Sequence, residues 1–142
     1  MKRLILLLAV VATSLSIVGC GGNGSSGSGA FAGSWSGIHR FITTLGAVQD
    51  EGFISVTVDE FGALSGTMSK TSTQETISVS GFVQSSGEMT LYWNFAGESP
   101  RTGQGGTSIN GGQWRPSAPN NQLPTNNNNG GLGGLEFTMQ RN

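Results

Sequence analysis

An all-β fold is predicted for this chain: a small antiparallel meander closing into a barrel of about seven or eight strands, with a signal helix at the N-terminus. Three observations lead there. From Phe31 onward apolar residues recur at alternate positions, the period of a strand with one buried face. Clusters of Gly, Ser, Asn and Asp punctuate the runs as turns do. Gly accounts for 24 of 142 residues, a load that is costly in helix interiors.

The first strand is expected over Phe31–Phe41, with Phe31, Trp35 and Phe41 in phase. Phe53–Asp59 follows (Ile54, Val56, Val58), then Leu64–Ser69 (Leu64, Met68) and Thr76–Val83 (Ile77, Val79, Val83). Glu88–Phe95 carries Met89, Leu91, Trp93 and Phe95, and Thr107–Trp114 and Leu135–Arg141 complete seven candidates. Phe82 and Tyr92 fall out of phase and are expected on the outer face or at a bulge. Gly62 and Gly87 sit where two consecutive hairpins need a positive φ. Residues 115–134, rich in Pro, Asn and Gly, read as a solvent-exposed loop. An open sheet would leave two raw edges, so closure into a barrel is favoured, with Gly33, Gly37, Gly66, Gly81 and Gly111 easing the bends.

The N-terminus gives an address. Lys2 and Arg3 precede the apolar run Leu4–Val11, and the stretch ends in small residues at Gly19, the order of a secretory signal. Leu4 to Gly19 is 16 residues, short of the roughly 20 that span a bilayer as a helix. Ile17-Val18-Gly19-Cys20 resembles the lipobox of bacterial lipoproteins, with the chain's one Cys at the processing point. The resemblance implies cleavage after Gly19 and acylation of Cys20, palmitate included, so residues 1–19 form a lipoprotein signal peptide. Several acyl chains anchor firmly where one binds marginally. Gly21 after the Cys favours the outer over the inner membrane of a bacterial envelope. Residues 20–30 then comprise the lipidated Cys and a Gly/Ser tether, and 31–142 a single β domain. The tether reaches only about 17 Å, from 5–6 Å times the square root of its length.

Charge excludes several functions. The chain has seven Lys+Arg and eight Asp+Glu, without the basic patch that nucleic-acid binding needs. Loss of Lys2 and Arg3 leaves five bases against eight acids, a net charge of -3, so membrane attachment rests on the acyl chains on Cys20. Gly22–Gly27 spells GxGxxG, but no strand precedes it and no helix follows, so no dinucleotide site is expected. Asn23-Gly24-Ser25 is a formal glycosylation sequon expected to be idle.

Candidate chemistry is sparse. His39, the one histidine, has no partners at ligand spacing, so no metal site and no cofactor is expected, and His39 reads as a structural strand residue. No Gly-X-Ser-X-Gly elbow accompanies it. The pairs Asp50-Glu51 and Asp59-Glu60 are adjacent, which sends their side chains to opposite faces of a strand, and both read as solvated turn residues. No catalytic residue is assigned and the chain is expected not to be an enzyme.

Trp35, Trp93 and Trp114 either line a ligand pocket or fill the core. Gly33-Ser34-Trp35 resembles the Gly-X-Trp opening of the calycin group, which includes the lipocalins and avidins. That resemblance implies a Trp35 that closes one barrel end and a barrel able to capture a small hydrophobic ligand. The alternative is an interaction, inhibitor or structural module with a solid core, meeting an envelope protein through its outer face or its late loop.

Overall fold

The computed structural model describes residues 29–117, 122–127 and 132–142. The expected signal peptide, Cys20, the GxGxxG run, the sequon and most of the tether lie outside the described residues. A 3-10 turn at Gly29–Phe31 leads into nine strands: β1 (Gly33–Thr43), β2 (Val48–Val58), β3 (Ala63–Ser69), β4 (Thr76–Val83) and β5 (Glu88–Trp93). They continue with β6 (Arg101–Asn110), β7 (Gln113–Pro116), β8 (Leu123–Asn127) and β9 (Leu132–Arg141).

Neighbours in sequence pair antiparallel from β1 through β7, and β9 pairs back onto β1 from Trp35↔Arg141 to Thr43↔Gly133. The sheet is therefore a closed barrel of eight antiparallel strands with one extra, as the alternation and the edge argument lead one to expect. The extra strand arises because β7 and β8 share one position between β6 and β9. Their register is revealing. Between Thr107↔Pro116 and Gly103↔Thr125, β6 advances four residues while the other segment advances nine. Between Trp114↔Met139 and Leu123↔Leu135, β9 advances four against nine again. Both neighbours thus see the same five-residue excess, a strand interrupted between Pro116 and Leu123.

Residues 115–134 are accordingly not all loop. They hold the end of β7, all of β8 and the start of β9, and Leu123 is fully buried in the core. The expected strand Thr107–Trp114 is likewise two strands, turned at Gly111 and Gly112, both of which have positive φ. Gly62 and Gly87 take positive φ in their hairpins as expected. Gly37 permits closure itself, since a Cβ there would collide with the Thr138 carbonyl on β9.

Inward positions carry Ile54, Val56 and Val58 on β2, Leu64 and Met68 on β3, Val79 and Val83 on β4, and Met89, Leu91 and Trp93 on β5. Leu135, Phe137 and Met139 complete the circle from β9, and all join one buried cluster. Phe82 and Tyr92 face outward and are exposed. A register shift between Phe41 and Ile42 turns two consecutive side chains into buried positions.

Candidate functional site

The connections sort by barrel end. At the end where the chain enters at Gly29, the links are the hairpin turns 59–62, 84–87 and 111–112. At the other end, here the distal end, lie the four-residue turn 44–47 and the longer connections 70–75 and 94–100. Loops carried on a rigid frame are where binding groups concentrate.

The entry end is sealed. Phe31 and Trp35 pack on Trp114, with ring centroids 5.3 Å and 5.5 Å away. Trp35 Nε1 donates to the Phe31 carbonyl at 2.7 Å, tying the strand to the 3-10 turn. Trp114 Nε1 donates to Thr107 Oγ1 at 2.9 Å, and that hydroxyl donates to the Gly87 carbonyl at 2.8 Å. Arg141 lies over the Trp35 ring at 4.7 Å and donates to the Ala30 carbonyl at 2.5 Å. Gly29 and Ala30, read from sequence as tether, thus belong to the closed end.

Around Phe41 at the distal end the packing is less complete in its polar partners. His39, fully buried, stands edge-on to Phe41 at 5.0 Å, and Trp93 lies 5.8 Å from the same ring. Phe95 packs against Phe41 at 6.0 Å and is itself buried. His39 Nε2 lies 2.7 Å from the Ser69 carbonyl, so Nε2 carries the proton and Nδ1 is left as an acceptor. Gly52 makes room, since a Cβ there would meet the Ser69 carbonyl and the His39 ring. Burial holds the His39 imidazole below its ordinary value of 6.5, outweighing the Ser69 hydrogen bond and the nearby Asp50. His39 Nδ1, Trp93 Nε1 and Arg101 Nε are buried without a hydrogen-bond partner among the described residues.

Ions close the distal rim. Lys70 on the 70–75 connection pairs with Glu98 Oε1, and Arg101 reaches Glu98 Oε2 at 3.2 Å. The Lys70 ammonium sits 4.3 Å from the Phe95 ring centroid, and Glu75 Oε1 accepts from the Ala96 amide at 2.7 Å. None of Lys70, Glu98 and Arg101 stands out in sequence. Lys70 carries the one clue, being the single Lys after Lys2.

Two grooves open on the outer wall. One, of about 440 Å³, runs along β1–β2–β3 past Ile38, Arg40, Glu51, Phe53 and Thr71. Ile38 and Phe53 are paired across the strands, and both are exposed. The other, of about 430 Å³, crosses β4–β5–β6 beside Tyr92 and Arg101.

The remaining sequence candidates have structural surroundings. Trp35 and Trp114 meet at the sealed end while Trp93 stands apart at the distal end, so the three Trp do not share one wall. Asp59 is a turn residue whose carboxylate accepts from the Phe61 and Ala63 amides at 2.9 Å each. Asp50 and Glu51 lie within β2 rather than in a turn, because β2 extends back to Val48 to pair with the end of β1. Slight burial works against the Asp50 carboxylate, but hydrogen bonds from the Ser72 hydroxyl and the Glu51 and Ser72 amides, with Lys70 nearby, hold it below its ordinary value. Glu51 reaches Arg40 at 3.3 Å on the exposed face. Among the described residues no three His, Cys, Asp or Glu side chains converge as a metal site would need. No protein-family model matches the chain, and no curated protein sequence does.

Proposed function

We propose that this chain is a non-enzymatic lipoprotein of the bacterial envelope, exported behind residues 1–19 and anchored through acyl chains on Cys20. Its barrel acts as a solid scaffold whose outer wall and distal rim meet an envelope partner. The anchor reading rests on the lipobox resemblance at Ile17–Cys20 and on the Gly/Ser run after it. One observation carries the scaffold reading: the interior is occupied by the protein's own side chains. Ile54, Met68, Met89, Leu91, Trp114, Leu135 and Met139 are all fully buried in a single cluster, and eight-strand barrels have just enough width to be filled this way. Gly29 enters at the sealed end, so a short tether from Cys20 directs that end to the bilayer and leaves the distal rim and the grooves facing away. The Gly-X-Trp resemblance to calycins agrees with the Trp35 closure, and the outer membrane is the membrane we assign.

A second reading keeps the small hydrophobic ligand. It is favoured by the unpartnered His39 Nδ1 and Trp93 Nε1 beside Phe41, which a molecule entering past Phe95 would satisfy. Native mass spectrometry of the full chain extracted from membranes separates the two. The scaffold reading expects the mass of an acylated chain beginning at Cys20 and no retained apolar molecule. A stoichiometric apolar ligand overturns the solid core in favour of the second reading. Radiolabelled palmitate incorporated by the wild type and lost in Cys20→Ser supports the anchor, and equal labelling, or none in either, overturns it.

A further inference from the structure

The groove on β4–β5–β6 sets an exposed aromatic ring within a row of hydroxyls. In register, Ser80 pairs with Tyr92 and Tyr92 with Thr102, so a hydroxyl, a phenol and a second hydroxyl lie side by side across three strands. Tyr92 is half exposed, with its ring on the outer face. Toward the distal rim the lining continues through Ser78, Asn94 and Arg101. With its amide oriented to suit its neighbours, Asn94 donates from Nδ2 to the Glu98 and Phe95 carbonyls at 3.0 and 3.2 Å, which leaves Oδ1 to accept from elsewhere. The volume of about 430 Å³ falls within the roughly 300–1,000 Å³ of small-ligand sites.

We propose that this groove binds a neutral oligosaccharide. A sugar ring has an apolar C–H face and a rim of hydroxyls, each both donor and acceptor. Tyr92 offers a flat ring to the face, while Ser78, Ser80 and Thr102 offer groups that likewise donate and accept. The ligand is neutral because Arg101 is the one charged group in the lining and its charge is already met by Glu98 at 3.2 Å. A peptide strand cannot add here, because β4, β5 and β6 are hydrogen-bonded on both sides within a closed barrel. A bilayer would need exposed apolar side chains, and hydroxyls dominate this wall instead.

This proposal rests on the outer-wall reading above and supplies the chemistry of its partner; it requires neither the acyl chains nor a filled core. The test is calorimetric titration of the full chain, held in a detergent without a sugar headgroup, with neutral hexasaccharides of glucose and of N-acetylglucosamine. Saturable binding to one of them is expected, weakened about tenfold or more by Tyr92→Ala, largely kept by Tyr92→Phe, and unchanged by Ile38→Ala in the other groove. Ser80→Arg, which fills the groove from an exposed position, serves as an independent block. The proposal is overturned if neither sugar binds up to about 10 mM. Binding that survives both Tyr92→Ala and Ser80→Arg, or binding confined to an acidic polysaccharide, also overturns it. Palmitate labelling and native mass are unaffected by these variants, so failure here is told apart from failure of the anchor or of the solid core.

Discussion

At the end of the barrel nearest Gly29, Trp35 and Trp114 each hand their indole N–H to an acceptor inside the protein, at 2.7 and 2.9 Å. At the distal end the equally buried Trp93 N–H has no such acceptor among the described residues, and His39 Nδ1 and Arg101 Nε share that condition. Both ends are built from tryptophan, phenylalanine and a cation over a ring, so composition does not separate them. What differs is whether the buried indole N–H is satisfied, for at the first end Arg115 Nε, next to Trp114, also lacks a partner among the described residues. A satisfied end contributes rigidity, whereas an unsatisfied one carries a cost that a partner or a rearrangement can relieve. The two longest described connections, 70–75 and 94–100, also lie at the second end, where the proposed function puts the working surface.

The largest effect should come from cutting the frame. Trp114→Ala removes the ring on which Phe31, Trp35 and Phe137 all converge and is expected to cost about 3–5 kcal/mol in chemical denaturation, enough to unfold a small domain. The gentler Trp→Phe series sharpens the comparison. Trp35→Phe strands the Phe31 carbonyl and Trp114→Phe takes a donor from Thr107, whereas Trp93→Phe deletes an N–H that had no partner. Trp93→Phe should therefore be milder than either by about 1–3 kcal/mol. Equal losses at all three positions would break the distinction between the ends.

Next in size is a pH effect confined to the distal end. His39 is held below 6.5 chiefly by burial, against the raising influence of Ser69 and Asp50, with Lys70 lowering it further. In the unfolded chain the imidazole takes its proton near 6.5, while the folded protein resists it to lower pH. The unfolded state thus binds more protons in that window, and stability falls as pH drops below 6.5 until the native imidazole also titrates. Denaturation midpoints should be flat above about pH 7 and decline beneath it. His39→Gln retains a donor for the Ser69 carbonyl and should flatten the decline. Asp50 does not confuse the test, since its carboxylate is lowered from 3.8 and titrates in a more acidic range.

How far the sequence could show these ends follows from what each is made of. The frame was legible because Ile54, Val56, Val58, Leu64, Met68, Met89 and Leu91 keep strict alternation, and burial follows it. The stretch Arg101–Gly106 was not, because its inward positions are glycines. A Cβ on Gly103 would stand 2.9 Å from Leu123 and 3.2 Å from Trp93, so the space that alternation assigns to this strand's own side chains is filled by its neighbours. β8 escaped for a related reason. Leu123 and Thr125 are its buried side chains, Pro124 between them faces out, and Pro with a run of Asn reads as loop unless the pairing with Leu135 and Gly134 is known. At the distal site, His39 was visible as a strand residue, but its burial depends on Gly52 and Ser69, which are remote in sequence. The Lys70–Glu98–Arg101 group depends on two separate loops meeting, and no local pattern encodes that.

The smallest expected effect compares the two cations that lie over aromatic rings. Arg141 stands on Trp35 and also donates to the Ala30 carbonyl, so it ties the last strand to the entry turn by two directional contacts that salt screens little. Lys70 stands on Phe95, and its charge is shared with Glu98, which Arg101 already serves. Arg141→Met should cost about 1–2 kcal/mol with little dependence on salt, since it frees a carbonyl and uncovers the indole. Lys70→Met should cost less than about 1 kcal/mol, and less still at high ionic strength, because Glu98 keeps Arg101 as its partner and the methionine stem still covers the ring. Denaturation of both variants across a salt series decides the matter. If Lys70 proves the costlier cation, the distal rim is part of the frame and the division of labour between the two ends is lost.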